Sequence, residues 1–150
     1  MSCIISYSVY AEEKQSFRDM YYGVCLNETS IFEFSDYLEL YSTSEDEIIQ
    51  GYAAVIWFLW VDYYVNPIKK WNSFNKGKDK LEELIKIYPT SIELRFLRLI
   101  TQDNLPKFLG YNKNIEIDRL YIHGKVSSLT DLDLKDRINE YLCLNSINKI

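Results

Sequence analysis

Apolar side chains recur every three or four residues along most of the chain, which is the spacing of one face of an α-helix. The first such run covers about residues 9–26 and places on one face Phe17, Met20, Tyr21 and Val24. No long stretch alternates with a period of two, and the sequence holds no Asn-Gly or Asp-Gly hairpin turn. The pattern predicts an all-α fold in which a single domain over residues 1–150 bundles about six to seven helices.

Helix starts recur as a hydroxyl residue followed three positions later by Glu, which is the pattern of a capping box. Three such pairs occur: Ser30 with Glu33, Ser44 with Glu47, and Thr90 with Glu93. They predict a short second helix that ends near Tyr41, a third helix that begins at Ser44 and a fifth that begins at Thr90. The fifth helix must end near Asn104 because Pro106 follows.

The third helix is apolar on every side between Tyr52 and Val61, which places it at the centre of the fold. Asn66 and Pro67 end this helix and begin the fourth, because Pro disfavours helical geometry in the preceding residue but suits the first helical position. So short a connection predicts that the two helices pack as an antiparallel hairpin.

The fourth helix, at about residues 67–88, combines an apolar stripe with lysines on its other faces. The stripe comprises Ile68, Trp71, Phe74, Leu81, Leu84, Ile85 and Tyr88, and Gly77 allows a neighbouring helix to approach closely. A basic amphipathic helix can bind acidic membranes or partners. Core packing, with the lysine stems covering the flanks, is the simpler interpretation.

The rest of the chain predicts one helical turn and two further helices. The turn lies at residues 106–111, and the sixth helix covers about residues 114–123 with Gly124 as its C-terminal stop. The last helix begins after Thr130 or Asp131 and reaches about Leu144.

Residues 47–104 resemble, in degenerate form, a tetratricopeptide-type helical hairpin, in which small or medium apolar residues lie near the middle and a Pro closes the turn before the next helix. The matching positions are Gly77, Leu81, Leu84 and Pro89, preceded by Tyr52, Ala53 and Ala54. The resemblance implies helical hairpins that present a concave surface to a peptide or partner protein.

Residues 50–122 resemble a group of small uncharacterised bacterial helical proteins that share a string of short motifs. Here the motifs are Asn66-Pro67, Pro89, Glu93-Leu94-Arg95-Phe96-Leu97-Arg98 and Pro106-Lys107-Phe108-Leu109-Gly110-Tyr111, with Gln102 and Asp118 completing the string. This resemblance supports the helical fold and implies no activity.

One polar cluster is a candidate binding site. Arg95, Arg98 and Gln102 stand at i, i+3 and i+7, so they share a helix face. Other polar side chains follow closely along the chain: Asn104, Lys107, Tyr111, Asn114 and Asp118. These groups could line a pocket for an anion or a peptide terminus. The favoured alternative is that the arginines brace the connection between the fifth and sixth helices by bonding carboxylates and loose helix-end carbonyls.

Catalytic, cofactor and metal signatures are lacking in the sequence. His123 is the one histidine and lies in the last turn of a predicted helix, where the helix dipole favours a charged imidazole. No P-loop, dinucleotide glycine fingerprint, HExxH or GxSxG motif occurs. We therefore predict no catalytic residue, no cofactor and no metal, and we lean towards a protein that is not an enzyme.

The three cysteines, Cys3, Cys25 and Cys143, lie far apart and form no CxxC pair, so the sequence predicts neither a disulfide framework nor a structural zinc site. The amino terminus lacks the positive region of a secretory signal, and the most apolar stretch is shorter than the roughly 18 residues that would suggest a membrane span. We therefore expect reduced thiols, a cytoplasmic location and no membrane span.

The formal net charge of −5 is unevenly distributed. Residues 1–62 hold 11 acidic and 2 basic side chains, a balance of −9, and residues 63–150 hold 11 acidic and 15 basic side chains, a balance of +4. The simplest interpretation is that the two halves attract each other within one fold. This acidic balance gives no electrostatic footprint for nucleic acid.

These observations favour a non-enzymatic helical scaffold or protein- and peptide-interaction domain. An alternative is a small-molecule or anion-binding protein or enzyme that uses Arg95, Arg98, Gln102 and Asp118. A further alternative, an acidic inhibitor or immunity-like protein that uses residues 28–47, depends on charge alone. The partner's identity and the oligomeric state are not predicted.

Asp62 interrupts the apolar third helix where nearly every neighbour is expected to be buried. An isolated buried carboxylate is costly, so Asp62 should either pair with a cation or be exposed by a local polar channel. The lysine-rich fourth helix and the fifth helix both offer cations, and we predict an ion pair between Asp62 and Arg98.

Overall fold

The computed structural model describes the backbone of residues 2–147 and, within it, the side chains of residue 9 and residues 12–144. All the regular secondary structure in residues 2–147 is helical, which confirms the all-α prediction. The α-helices are α1 (Ser2–Cys25), α2 (Ile31–Glu39), α3 (Glu47–Tyr63), α4 (Pro67–Ile87), α5 (Ile92–Asn104), α6 (Ile115–Lys125) and α7 (Leu132–Ile147). Two 3₁₀ turns, Lys107–Leu109 and Val126–Ser128, flank α6.

The helices fall into two compact units, with α1–α4 in the first and α5–α7 in the second. In the first unit, α3 packs against α1, α2 and α4, as its apolar sequence predicts. Tyr52 of α3 is buried between the other helices: its ring lies 6.0 Å from that of Phe17 in α1 and 6.5 Å from that of Phe34 in α2. The helix predicted to be central is therefore the centre of this unit.

The α3–α4 hairpin is antiparallel, as predicted. Ser73 Oγ donates a hydrogen bond to the Trp57 carbonyl oxygen at 2.6 Å, and Gly77 faces Ala54, so residue numbers rise along α4 as they fall along α3. A Cβ atom at Gly77 would lie 3.0 Å from both the Ala54 carbonyl oxygen and the Phe58 ring. The missing side chain therefore permits the close packing of these two helices.

Two predicted helix starts are confirmed by the structure. Ser30 caps α2 by accepting a hydrogen bond from the Phe32 amide at 3.2 Å. Asn66 caps α4 by accepting from the Ile68 amide at 2.8 Å, and Pro67 occupies the first helical position. The signal for the hairpin connection is thus local in the sequence.

The start predicted at Ser44 is wrong, because Asp46 caps α3 instead. The Asp46 carboxylate accepts from the amides of Ile48 and Ile49 at 2.8 and 3.1 Å. A carboxylate also interacts favourably with the positive end of the helix dipole. Ser44 Oγ accepts from the Asp46 amide at 3.2 Å, so it orders the approach to the cap.

The start predicted at Thr90 is wrong by one residue. Ser91 has extended backbone angles, with φ −68° and ψ 111°, and the first helical residue is Ile92. The first helix also begins earlier than predicted, at Ser2 instead of residue 9. The predicted end near Asn104 is confirmed.

Two corrections concern residues that the sequence predicted to be buried. Ile68 and Trp71 in the first turns of α4 are 70% and 54% exposed, and Tyr88 is exposed at its C-cap, so the buried stripe is shorter than predicted. Asp62 is exposed, so the predicted ion pair with Arg98 is wrong.

No helix in residues 2–147 is long and apolar enough to cross a membrane.

In the second unit, α5 packs against α6, and the Phe96 ring of α5 lies 5.5 Å from the Tyr141 ring of α7. Gly124 does not stop α6, which continues to Lys125. Gly110 instead takes the left-handed conformation, with φ 67°, at the end of the first 3₁₀ turn. For the last helix, Asp131 is the cap, since its carboxylate accepts from the Leu134 amide at 3.0 Å.

We expect all three cysteines to be thiols in the native protein. Cys25 and Cys143 are exposed and form no disulfide, and the side chain of Cys3 lies outside the described residues. Titration of the denatured, unreduced chain with a thiol reagent should find three thiols. Recovery of one thiol would contradict this prediction, because two cysteines would then be bridged.

Candidate functional site

The predicted polar cluster in the second unit is built around Asp118. The Asp118 carboxylate of α6 accepts hydrogen bonds from Arg98 Nε at 2.6 Å and Arg98 Nη2 at 2.8 Å, and from Arg95 Nη1 at 2.9 Å. The Arg98 contact has the bidentate geometry in which a guanidinium binds a carboxylate most strongly. One carboxylate of α6 therefore binds two arginines of α5.

Gln102 joins the same two helices one turn further along α5. Its Oε1 accepts from the Asn114 backbone amide at 3.1 Å, and its Nε2 donates to Asn114 Oδ1 at 3.4 Å. Arg98, Gln102 and Asp118 are 4%, 2% and 0% exposed; Arg98 is bonded to Asp118, and Gln102 is bonded to Asn114. This geometry favours the bracing interpretation over the open pocket.

The remaining members of the predicted set do not contribute to these bonds in the same way. Asn104 donates through Nδ2 to the Ile100 carbonyl oxygen of its own helix at 2.8 Å. Lys107 is exposed in the 3₁₀ turn, and Tyr111 is buried after it. The structure thus brings together Arg95, Arg98, Gln102 and Asp118.

The structure also shows contacts between α5, α6 and α7 that the sequence did not predict. Asp103 Oδ2 accepts from Arg119 Nη2 at 2.8 Å and from the Tyr141 hydroxyl at 2.7 Å. The Arg95 guanidinium also lies 4.3 Å from the centre of the Tyr121 ring, a cation–π contact. These contacts link α5 with α6 and α7, so they stabilise the packing of the second unit.

An open groove lies on the first unit. Its cavity has a volume of about 540 Å³. Residues of α3 form its floor, and residues of α2 and α4 line its sides. Apolar and aromatic side chains dominate, and the lining residues are Ser35, Leu38, Glu39, Tyr41, Ser42, Ser44, Ile49, Gln50, Ala53, Ile56, Trp57, Trp60, Tyr64, Lys76 and Lys80. We call this surface the α2–α4 groove. The sequence prediction missed it.

Two smaller cavities extend the α2–α4 groove at its ends. One, of about 270 Å³, shares Trp57, Tyr64 and Lys76 with the main cavity. The other, of about 390 Å³, shares Gln50 and Lys80 with it. From Gln50 to Tyr64 the floor along α3 measures roughly 21 Å at 1.5 Å per residue, which is the length of about six residues of extended peptide.

Aromatic side chains form one part of the groove. The Trp60 ring stacks on Tyr64, with ring centres 5.9 Å apart, and meets the Phe32 ring edge-on at 5.1 Å. Trp57, Trp60 and Tyr64 are each half-buried, so part of every ring faces solvent. Half-buried tryptophans in a concave surface are typical of the residues that dominate binding energy at interfaces.

Two lysines of α4 line the same groove one helical turn apart. Lys76 Nζ lies 3.7 Å from the centre of the Trp57 ring. Burial and, secondarily, the positive charge of Lys76 lower the pKa of Lys80 below its usual value. Both causes disfavour the charged form of Lys80.

Tyr41 lies at the edge of the groove in an aromatic cluster with Phe17 and Tyr37. A hydrogen bond with Tyr37, together with desolvation by burial and the charge of Glu13, raises the pKa of Tyr41 to about 12. The Tyr41 hydroxyl is therefore neutral at physiological pH.

Neither area assembles a recognisable catalytic or metal site. Among the side chains of residues 12–144, no three His, Cys, Asp or Glu are grouped as a metal ion would require. His123, the one histidine of the sequence, is exposed on α6. What the α2–α4 groove offers chemically is an apolar floor, aromatic rings, two ammonium groups, one carboxylate and several hydroxyl groups.

No family model, curated protein or solved structure matches the chain. The resemblances to a tetratricopeptide hairpin and to the bacterial helical group therefore stay predictions.

Proposed function

We propose that the protein is a non-enzymatic interaction domain that binds a peptide segment of a partner protein in the α2–α4 groove. The observation that carries this proposal is the groove itself, which is open, mostly apolar and longer than a small ligand requires. A groove formed along helices can take either an extended peptide or one face of a partner helix. The apolar side chains of such a segment would bury the exposed parts of Trp57 and Trp60.

The alternative of an anion site at Arg95 and Arg98 has less support. Both guanidinium groups already bind the buried Asp118 carboxylate, so an incoming anion would have to replace an internal partner. The cost of stranding that carboxylate would reduce the affinity for any ligand.

The test is the selection of displayed random dodecapeptides on the full chain, followed by affinity measurements on two variants. Ala53 lies in the groove, so the indole of Ala53→Trp should fill it and weaken binding of the selected peptides by more than about tenfold. Lys86→Trp adds the same side chain to an exposed position of α4 outside the lining residues and should leave the affinity unchanged.

Thermal unfolding of both variants checks that they remain folded. Peptides that bind folded Ala53→Trp as tightly as the unsubstituted chain would place the binding surface elsewhere. The exposed residues within 28–47 that do not line the groove, a region that the acidic-inhibitor alternative uses, would then be the next to substitute.

A further inference from the structure

The α2–α4 groove carries lysines along the wall that α4 forms. Lys76 and Lys80 are four residues apart on α4, so their side chains project from the same helix face. Lys69, two turns before Lys76, lines the adjoining smaller cavity with Trp57 and Tyr64. Three ammonium groups thus follow one wall of the groove.

Among the described residues, no carboxylate lies within ion-pair distance of Lys76 or Lys80. Glu39 lines the main cavity, and Glu45 and Glu83 line the cavity at the Tyr88 end, without forming such a pair. Lys78, the neighbouring lysine of α4, lies 3.8 Å from Asp79. Lys76 and Lys80 therefore face a concave surface without an ion-pair partner among the described residues, and the Lys76 ammonium contacts the Trp57 ring instead.

Given the proposed peptide-binding function, on which this step depends, we infer that the peptide is acidic. An Asp or Glu carboxylate binds between Lys76 and Lys80, and a neighbouring apolar side chain packs on Trp57 and Trp60. Ammonium groups bind a carboxylate as compact point charges, and the partial burial of Lys80 strengthens the attraction there relative to open water. The acidic residues Glu45 and Glu83 disfavour a second carboxylate at the Tyr88 end, so the acidic part of the peptide lies towards Lys69.

Two displayed dodecapeptide libraries test this inference on the full chain. They are identical except that the two central positions are fixed as Glu-Glu in one and as Gln-Gln in the other. The Glu library should be enriched, and Glu→Gln exchange in its selected peptides should weaken binding by about tenfold. Raising the salt concentration should weaken the Glu peptides more than the Gln peptides, because mobile ions screen partly exposed charges.

The variant Lys76→Gln/Lys80→Gln should bind Glu and Gln peptides with affinities within about twofold of each other, because the charge that discriminates them is removed. Lys86→Gln, on the exposed face of α4, is the matched control and should retain the preference. Thermal unfolding of each variant separates loss of charge from loss of fold.

The two possible failures are distinguishable. Equal enrichment of both libraries, abolished by Ala53→Trp, would overturn the inferred acidic peptide and leave the proposed function intact. Enrichment of neither library would overturn both. Preference for Glu that persists in the double lysine variant would place the anion site elsewhere and would also overturn the inference.

Discussion

Replacement of Asp118 by Ala should lower the free energy of unfolding by about 3–5 kcal/mol, the largest effect expected of any single substitution considered for this protein. The Asp118 side chain is fully buried and compensates the charges of Arg95 and Arg98. Without it, the buried guanidinium of Arg98 and the partly buried guanidinium of Arg95 lose the carboxylate that they share. Breaking one side of a buried ion pair costs more than the net stabilisation that the pair contributes.

Chemical denaturation followed by far-UV circular dichroism measures this loss. Asp136→Ala, at an exposed position of α7, is the matched control and should change the free energy of unfolding by less than about 0.5 kcal/mol. A loss below about 1 kcal/mol in Asp118→Ala would show that the arginines are solvated and that α5 and α6 are held by apolar packing alone.

Replacement of Gly77 by Leu should destabilise the protein by about 1–3 kcal/mol, because the added side chain overpacks the α3–α4 contact. Its Cβ atom would already lie 3.0 Å from a backbone oxygen, Ala54 O, so one of the helices must move. The higher helix propensity of Leu opposes this loss by less than about 1 kcal/mol.

The same substitution at Gly124 is the control for helix propensity. Nothing lies within 4 Å of a Cβ atom built at Gly124 in α6, so Gly124→Leu should leave stability unchanged or increase it slightly. Equal stability of the two Leu variants in chemical denaturation would contradict the close hairpin packing at Gly77.

The helical fold was predictable because its signals are local. Periodicity identified the helices, and Asn66-Pro67 marked the hairpin connection to the residue. The error at Ser44 arose because two nearby residues could both cap the helix. The Asp46 carboxylate accepts hydrogen bonds from two amides of α3, whereas Ser44 accepts none from the helix. The misplaced stop at Gly124 has a similar cause: a helical glycine is permitted to end a helix but need not do so.

The brace was predictable in part. Helix spacing placed Arg95, Arg98 and Gln102 on one face, and Asp118 was in the same candidate set. The predicted pairing of Asp62 with Arg98 was wrong. Helix packing decides which residues distant in sequence meet, and no local sequence pattern shows how the helices pack. The bond between Asp103 and Tyr141, 38 positions apart, has no sequence signal for the same reason.

The α2–α4 groove was not predictable from the sequence. Both α2 and α4 pack against α3, and the space between them leaves part of α3 open as a floor. The distance between two helices that pack against the same third helix does not affect the hydrophobic periodicity of any of the three. Lys76 and Lys80 therefore resembled solvated flanking residues, and Trp57 and Trp60 resembled core.

The chain contains three tryptophans, and their indole signals can test directly whether a peptide binds in the α2–α4 groove. Trp57 and Trp60 line the α2–α4 groove, and Trp71 lies outside its lining residues on the same hairpin. In a nitrogen-15 correlation spectrum, titration with a selected acidic peptide should shift the indole N–H signals of Trp57 and Trp60 and leave that of Trp71 in place. A shift of Trp71 alone, or of no tryptophan while the peptide binds, would contradict binding in the groove.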